Sequence, residues 1–233
     1  MNCPRQYSTE LLNAIANNNL AKIIALIQHF ACVDQVDMAQ DALTPLMLAI
    51  DRNYQDIVKF LIDAGAGLYL STYVEDSPLG LAVTKGNLEI VLLLLQAGAN
   101  ADVGGLCNPI VYAVQQERID LIKILIEYGA NVDGCSASGV TALMVAAITG
   151  NIKIVEMLLE EGANPDVLDE YGEIALDKAA YYGNEEIFNY LILLTSASIL
   201  QEREYLHQKL AKGMLRKQRL KAKSKRDCQK DTC

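Results

Sequence analysis

At 233 residues the chain is long enough for one large domain or two small ones, and its core needs no covalent or metal staple. Hydrophobic residues at 52% against 21% charged exclude a wholly disordered polymer, and the lack of Trp with only 6% aromatics favours aliphatic helix packing over an aromatic-filled sandwich. A formal net charge of −9 argues against nucleic acid or an anionic membrane as partner of the chain taken as a whole.

The first ten residues, MNCPRQYSTE, contain no apolar run, so no secretory leader is expected. Cysteines stand at positions 3, 32, 107, 135, 228 and 233 with no CxxC pair, and the histidines are His29 and His207 alone. That spacing predicts free thiols and no structural zinc, and no metal site is assigned. His29 and Cys32 stand three apart, but nothing nearby supplies an orienting group, so no thiol chemistry is assigned to them. The longest apolar stretch, 187–200, is interrupted by Asn189, Thr195, Ser196 and Ser198 and falls short of the ~20 residues a membrane span needs. These features predict a cytoplasmic protein, with a nuclear location open to a eukaryotic chain.

A repeat then runs through most of the sequence. A weak copy, Thr9-Glu10-Leu11-Leu12-Asn13-Ala14, is followed by Thr44-Pro45-Leu46-Met47-Leu48-Ala49 and Ser77-Pro78-Leu79-Gly80-Leu81-Ala82. Next come Asn108-Pro109-Ile110-Val111-Tyr112-Ala113, Thr141-Ala142-Leu143-Met144-Val145-Ala146 and Ile174-Ala175-Leu176-Asp177-Lys178-Ala179. The steps between them are 35, 33, 31, 33 and 33 residues. Eight residues after each full copy's Ala, apolar pairs recur four apart: Ile57-Val58 with Leu61-Ile62, Ile90-Val91 with Leu94-Leu95, and Leu121-Ile122 with Leu125-Ile126. Ile154-Val155 with Leu158-Leu159 and Ile187-Phe188 with Leu191-Ile192 continue the series, each set marking one face of a helix. Gly65, Gly98, Gly129 and Gly162 follow, each succeeded by Ala.

Each part has a physical role. Thr, Ser or Asn caps a helix through its side-chain oxygen, and Pro in the first turn gives up an N–H that has no partner there. Gly supplies the left-handed stop after the second helix. The unit is therefore helix, turn, helix, stop and connecting loop. Each helix has about ten residues, too few for stability in isolation, so stability comes from stacking neighbours.

With its 33-residue period, TPLxxA opening and later Gly-Ala, the sequence over about residues 9–195 resembles the ankyrin repeat. The resemblance implies an all-α solenoid of stacked helix-turn-helix units with short β-hairpin loops. The six units fall near 9–40, 41–74, 75–105, 106–138, 139–171 and 172–200, making an array over 1–200. The family usually has His after the Leu of TPLH. Met47, Gly80, Val111, Met144 and Asp177 stand there instead, read as a difference in stability and not as a site. The hairpin around Gly104 to Cys107 should be truncated, since its connector is two residues short.

The resemblance also implies a non-enzymatic protein that binds a protein partner on the concave face of hairpin tips and first helices, and the protein is expected to be a monomer. No catalytic residue and no cofactor is assigned. The candidate protein-binding positions are Tyr73 and Asp76, Thr84 and Lys85, Gln115 and Gln116, Ile148 and Thr149, Tyr171, and Tyr181 and Tyr182. The tyrosines stand out because Tyr is enriched where binding energy concentrates.

From Gln201 the repeat stops. Residues 201–233 carry 11 Lys/Arg against 4 Asp/Glu, a net of +7, which leaves −16 for residues 1–200. Leu206, Leu210 and Met214 continue a helical stripe able to cap the last repeat. Beyond it Arg216, Lys217, Arg219, Lys221, Lys223, Lys225 and Arg226 are candidates for binding a polyanion, either nucleic acid or an anionic membrane, in a helical or disordered tail. No aromatic interrupts the run, so base stacking is not expected.

Overall fold

Four of the repeat openings become helix caps in the computed structural model. The side-chain oxygens of Thr44, Ser77, Asn108 and Thr141 accept hydrogen bonds from the backbone N–H groups of Met47, Gly80, Ile110 and Met144. Pro45, Pro78 and Pro109 occupy the first turns behind three of these caps. The structure describes residues 5–30, 33–34, 43–69, 77–104, 107–201, 203 and 205–230, with only the helical backbone described for 221–230.

The chain divides into two compact units, Met1–Asn131 and Val132–Cys233. In the first, α1 (Arg5–Ala16) and α2 (Leu20–Phe30) pair, followed by α3 (Pro45–Asp51) with α4 (Gln55–Asp63). The pairs α5 (Pro78–Lys85) with α6 (Leu88–Gln96) and α7 (Pro109–Gln115) with α8 (Ile119–Glu127) complete it. First helices stack in the order α1, α3, α5, α7, and second helices in the order α4, α6, α8. In the second unit, α9 (Ala142–Thr149) pairs with α10 (Ile152–Glu160), and α11 (Ala175–Tyr182) with α12 (Glu185–Leu191). Here α9 stacks on α11 and α10 on α12. A short α13 (Ala197–Gln201) leads to a long α14 (Leu206–Lys230), which packs on α11 and α12.

The repeated apolar pairs form the core. Ile57, Val58 and Leu61, Ile90, Val91 and Leu94, and Leu121, Ile122 and Leu125 are buried in the first unit. Ile154, Val155 and Leu158, with Ile187, Phe188 and Leu191, play that part in the second. The helices from α3 to α12 have seven to nine residues, shorter than the ten the pattern suggests. The cause lies at their ends. Gly65, Gly98, Gly129 and Gly162 adopt φ between 86° and 93° and stop the second helices. Between the two helices of a pair, Asn18, Asn53, Gly86, Glu117, Gly150 and Gly183 adopt the same left-handed conformation, so the first helices stop early as well.

Among the described residues the loops contain no strand. The connector 135–141 closes with a bridge between Cys135 and Thr141, and its Ser136 N–H donates to the Val140 carbonyl at 3.0 Å. The connector at 169–173 folds in the same way, with the Asp169 N–H on the Glu173 carbonyl at 3.0 Å. The Glu170 N–H reaches the Ser138 carbonyl at 3.0 Å, joining the two tips. These two hairpins are thus single turns, too short for a ladder. Gly105 and Leu106 of the truncated connector lie outside the described residues. The backbone around Gly104 closes on Gly80, where any Cβ would meet the Gly104 carbonyl.

Candidate protein-binding surface

Adjacent repeats are latched by polar groups of recurring kind. A carboxylate oxygen of Asp34 accepts from the Gly67 N–H at 2.8 Å, and one of Asp102 from the Asn131 N–H at 2.7 Å. In the second unit Asp133 receives the Asn164 N–H at 2.9 Å and Asp166 the Ser196 N–H at 3.2 Å. Each aspartate spans about one period. A second latch starts at the residue that opens the second helix. Arg118 Nη1 donates to the Gly86 carbonyl at 2.8 Å, and Asn184 Nδ2 to the carbonyls of Ala147 and Ile148 at 2.7 and 3.1 Å. Asn87 instead donates to the side-chain oxygen of Asn53, in the turn of the preceding pair, whereas the Arg118 and Asn184 bonds go to main-chain carbonyls. The Arg118 and Asn184 contacts close open carbonyls at the end of the preceding first helix.

The candidate positions sort themselves against this framework. Tyr73 and Asp76 lie outside the described residues, as does Cys32. In the first unit Thr84 and Lys85 are exposed near the end of α5, where the Thr84 hydroxyl donates to the Gly80 carbonyl at 2.9 Å and Lys85 pairs with Asp51 at 2.6 Å. Gln116 is exposed, yet its amide donates to the carbonyls of Val83 and Thr84 at 3.2 and 2.9 Å. Gln115 is exposed beside it.

In the second unit Ile148 is half-buried and Thr149 is exposed, its hydroxyl on the Ala146 carbonyl at 3.2 Å. Tyr171 crowns its connector at 76% exposure, and Tyr181 and Tyr182 end α11 at 43% and 44%. Their rings meet edge to face with centroids 5.1 Å apart. Tyr181 has a further partner, because Arg216 of α14 lies over its ring, 5.0 Å from the centroid, and donates to its hydroxyl. The Tyr182 hydroxyl has no partner among the described residues.

The polyanion candidates separate too. Arg216 sits on Tyr181 and Lys217 donates to Asn184, so both help hold α14 in place. Arg219 is exposed, while Lys221, Lys223, Lys225 and Arg226 occupy the helical backbone beyond it.

A buried cluster of charges holds the start of the tail. Asp177, fully buried, accepts from the Ile174 N–H at 3.2 Å and so fixes the first turn of α11. The same carboxylate receives Arg203 Nε at 2.9 Å and the Tyr205 hydroxyl at 3.2 Å, and Lys209 Nζ lies 3.5 Å away. Arg203 also donates through Nη2 to the Gly172 carbonyl at 2.8 Å. Lys209 donates to Glu173 at 2.7 Å, and Lys178 bridges Glu173 and Asp169 at 2.6 Å each. Burial works to raise the Asp169 carboxyl, but the Lys178 ammonium and the Glu173 and Tyr171 N–H groups outweigh it and hold it below its ordinary range. Glu173 is lowered against burial by Lys178 and Lys209. Lys178 is raised, its two carboxylates overcoming the burial that opposes its charge. Every charge in the cluster faces an opposite one, which is the arrangement of a clamp.

Sequence reasoning missed this clamp. It read Asp177 only as a departure from the usual His and placed Arg203 and Tyr205 outside the repeat. Two carboxylates near one opening, Glu173 and Asp177, with Arg203, Tyr205 and Lys209 downstream, were the available signal.

Short paired helices of this length, stacked one period apart and latched by recurring polar bonds, define a helical repeat protein. The family model for ankyrin repeats (3 copies) matches residues 2–72, 69–134 and 110–202, and the chain belongs to the ankyrin repeat family. It is similar to the crystal structure of EF0377, an ankyrin repeat protein, with a TM-score of 0.72 and 31% identity over 81% of this chain and 98% of that one. A crystal structure of an ankyrin repeat domain from Acinetobacter baumannii AYE matches with a TM-score of 0.71 and 29% identity over 79% and 96% of the two chains. Among curated proteins, 108 residues are 29% identical to BRCA1-associated RING domain protein 1 of Caenorhabditis elegans, and 94 residues are 33% identical to FPV018 of fowlpox virus (strain NVSL). The matched segments span 46% and 39% of this chain but only 15% and 13% of those two proteins. Ankyrin repeats are generally protein–protein interaction modules and generally not enzymes. No described helix is long and apolar enough to cross a membrane.

Proposed function

We propose that the protein is a non-catalytic adaptor that binds a protein partner through the exposed ends of its first helices and the adjoining loop tips. The observation that carries this reading is Tyr182, a large side chain held 44% exposed at the end of α11 with its hydroxyl unpartnered. Its ring is fixed edge-on against Tyr181, which Arg216 fixes in turn, so little rotamer freedom is left to lose on binding. Tyr171 on the preceding connector supplies a second exposed aromatic in the same unit. Thr84, Lys85 and Gln115 form the polar surface of the first unit, whereas Gln116 belongs to the framework.

Affinity capture with the full chain identifies the partner, and titration calorimetry on the purified pair then tests the surface. Tyr182→Ala should weaken binding at least ~10-fold while leaving the denaturant midpoint unchanged. Unchanged affinity, or a large midpoint shift, would show that Tyr182 packs and does not bind.

A further inference from the structure

Helix α14 has two halves of different character. Leu206, Leu210, Gly213, Met214 and Lys217 form the row that meets the repeat, and Lys217 on Asn184 is the most C-terminal contact described. Continued in register, that row passes from Leu, Gly and Met to Lys221 and Lys225. A second row, Arg219, Lys223, Arg226 and Lys230, advances by 4, 3 and 4 residues and so keeps to one face, nearly opposite the first; Lys212 precedes it in register, as does Arg216, whose guanidinium turns back onto Tyr181. Lys212, Arg216 and Arg219 are exposed. From residue 218 to residue 230 the helix runs about 20 Å. That length carries six basic residues and a single acidic one, Asp227.

Basic positions on two opposite flanks suit some polyanions better than others. A flat anionic bilayer meets one face of a helix and is gripped best where an apolar face inserts. Here Leu215 and Leu220 fall on different sides, and no aromatic is present beyond Tyr205. A groove in a duplex sets phosphates on both flanks. The major groove of B-DNA, about 12 Å wide, admits a helix of about 10–12 Å diameter, while the deep, narrow groove of A-form RNA does not. The net of −16 over residues 1–200 repels phosphate from the repeats and confines contact to this half-helix. We infer that the distal half of α14 binds double-stranded DNA without sequence preference, lying in the major groove with its two basic rows on the two phosphate strands. The proximal half anchors it to the last repeat. This goes beyond the protein-binding reading and stands independently of it.

The test is fluorescence anisotropy of the full chain with a labelled duplex of about 20 base pairs across a salt series. Six phosphate contacts give a log–log slope near −5, a loss of about a thousand-fold between ~50 and ~200 mM salt. The variant Arg219→Gln/Lys223→Gln/Arg226→Gln/Lys230→Gln should reduce the slope by about 3 to 4, and Lys221→Gln/Lys225→Gln by about 2. An unchanged slope in the double variant overturns the groove geometry. So does capture by phosphatidylserine vesicles without capture of the duplex, which would make the surface a membrane contact. Absence of duplex binding at ~50 mM salt overturns the proposal outright. Ending the chain at Lys217 removes the distal half without touching the docked one, and should abolish binding even if a multiple variant misfolds. Binding that survives this truncation also overturns the proposal.

Discussion

Asp177 stands where the family usually has His, and it does two things at once. It accepts the Ile174 N–H, the reverse of the bond a Thr oxygen makes at the other first helices, so the carboxylate reaches back to the residue before α11 where Ile174 has no cap oxygen of its own. It also neutralises Arg203, which is buried with it. Replacing one partner of a buried pair leaves the other charge without compensation. Asp177→Asn keeps the size and a capping oxygen but strands Arg203, so a loss of about 3 kcal/mol is expected in chemical denaturation. A loss near zero would mean that solvent reaches Arg203 freely. The neighbouring carboxylates set the pH response. Asp169 and Glu173 are lowered in the fold, so their contribution is complete above the ordinary carboxylate range near pH 4 and is lost as pH falls through their lowered values. Lys178 is raised, so its contribution is complete below its ordinary value near 10.4 and is lost as pH rises through the folded one. Thermal midpoints should therefore plateau between about pH 5 and 10, and Glu173→Gln should flatten the acid limb. An acid limb unaltered in that variant would place the sensitivity elsewhere.

At the scale of the element, α14 depends on a backbone contact. A Cβ on Gly213 would meet the carbonyl oxygens of Ala180 and Tyr181, and one on Gly183 would meet the backbone of Gly213 and Met214. The helix can cross the end of α11 only because both positions lack side chains. Gly213→Leu should lift α14 from the repeat, destabilising by about 1–3 kcal/mol and exposing the half-buried Lys209 to trypsin. Unchanged cleavage would show that α14 docks through the charge clamp alone. The elements themselves were legible in the sequence where chemistry is local. The caps Thr44, Ser77, Asn108 and Thr141 and the stops Gly65, Gly98, Gly129 and Gly162 are set by residue type and spacing. The turn inside each pair was not, because Asn18, Asn53 and Glu117 take the place of glycine at three of six positions. Arg216 and Lys217 were read only as candidates for binding a polyanion because their partners, Tyr181 and Asn184, lie more than thirty residues away. Contacts of that span leave no mark in a local pattern.

At the scale of the molecule the architecture is helical throughout the described residues, with an isolated bridge at Cys135 and Thr141 in place of a hairpin ladder. Far-ultraviolet circular dichroism should show a strongly helical spectrum with little strand, and a sheet-dominated one would contradict the architecture. The repeat register was readable because stacking demands the same apolar face in each unit, as Ile57, Ile90, Leu121, Ile154 and Ile187 show. The exposure of the residues proposed for binding was readable only in part. Tyr171 and Tyr182 stay exposed, whereas Gln116 turns to the framework, since exposure alone does not separate a free amide from one already engaged.

The forward-reaching aspartates carry one more consequence. Asp34, Asp102, Asp133 and Asp166 each grip a backbone N–H about one period downstream, so four of the five seams between the six units carry the same joint, with Tyr69 standing where the second unit would supply its aspartate. A segment of one whole period, copied or excised within the gene, restores both halves of the joint at its new boundaries. A segment of any other length breaks them. The joint thus acts as a reading frame for the architecture, and lineages of such a chain are free to change in length by whole repeats while keeping the same bond at the seams that carry it.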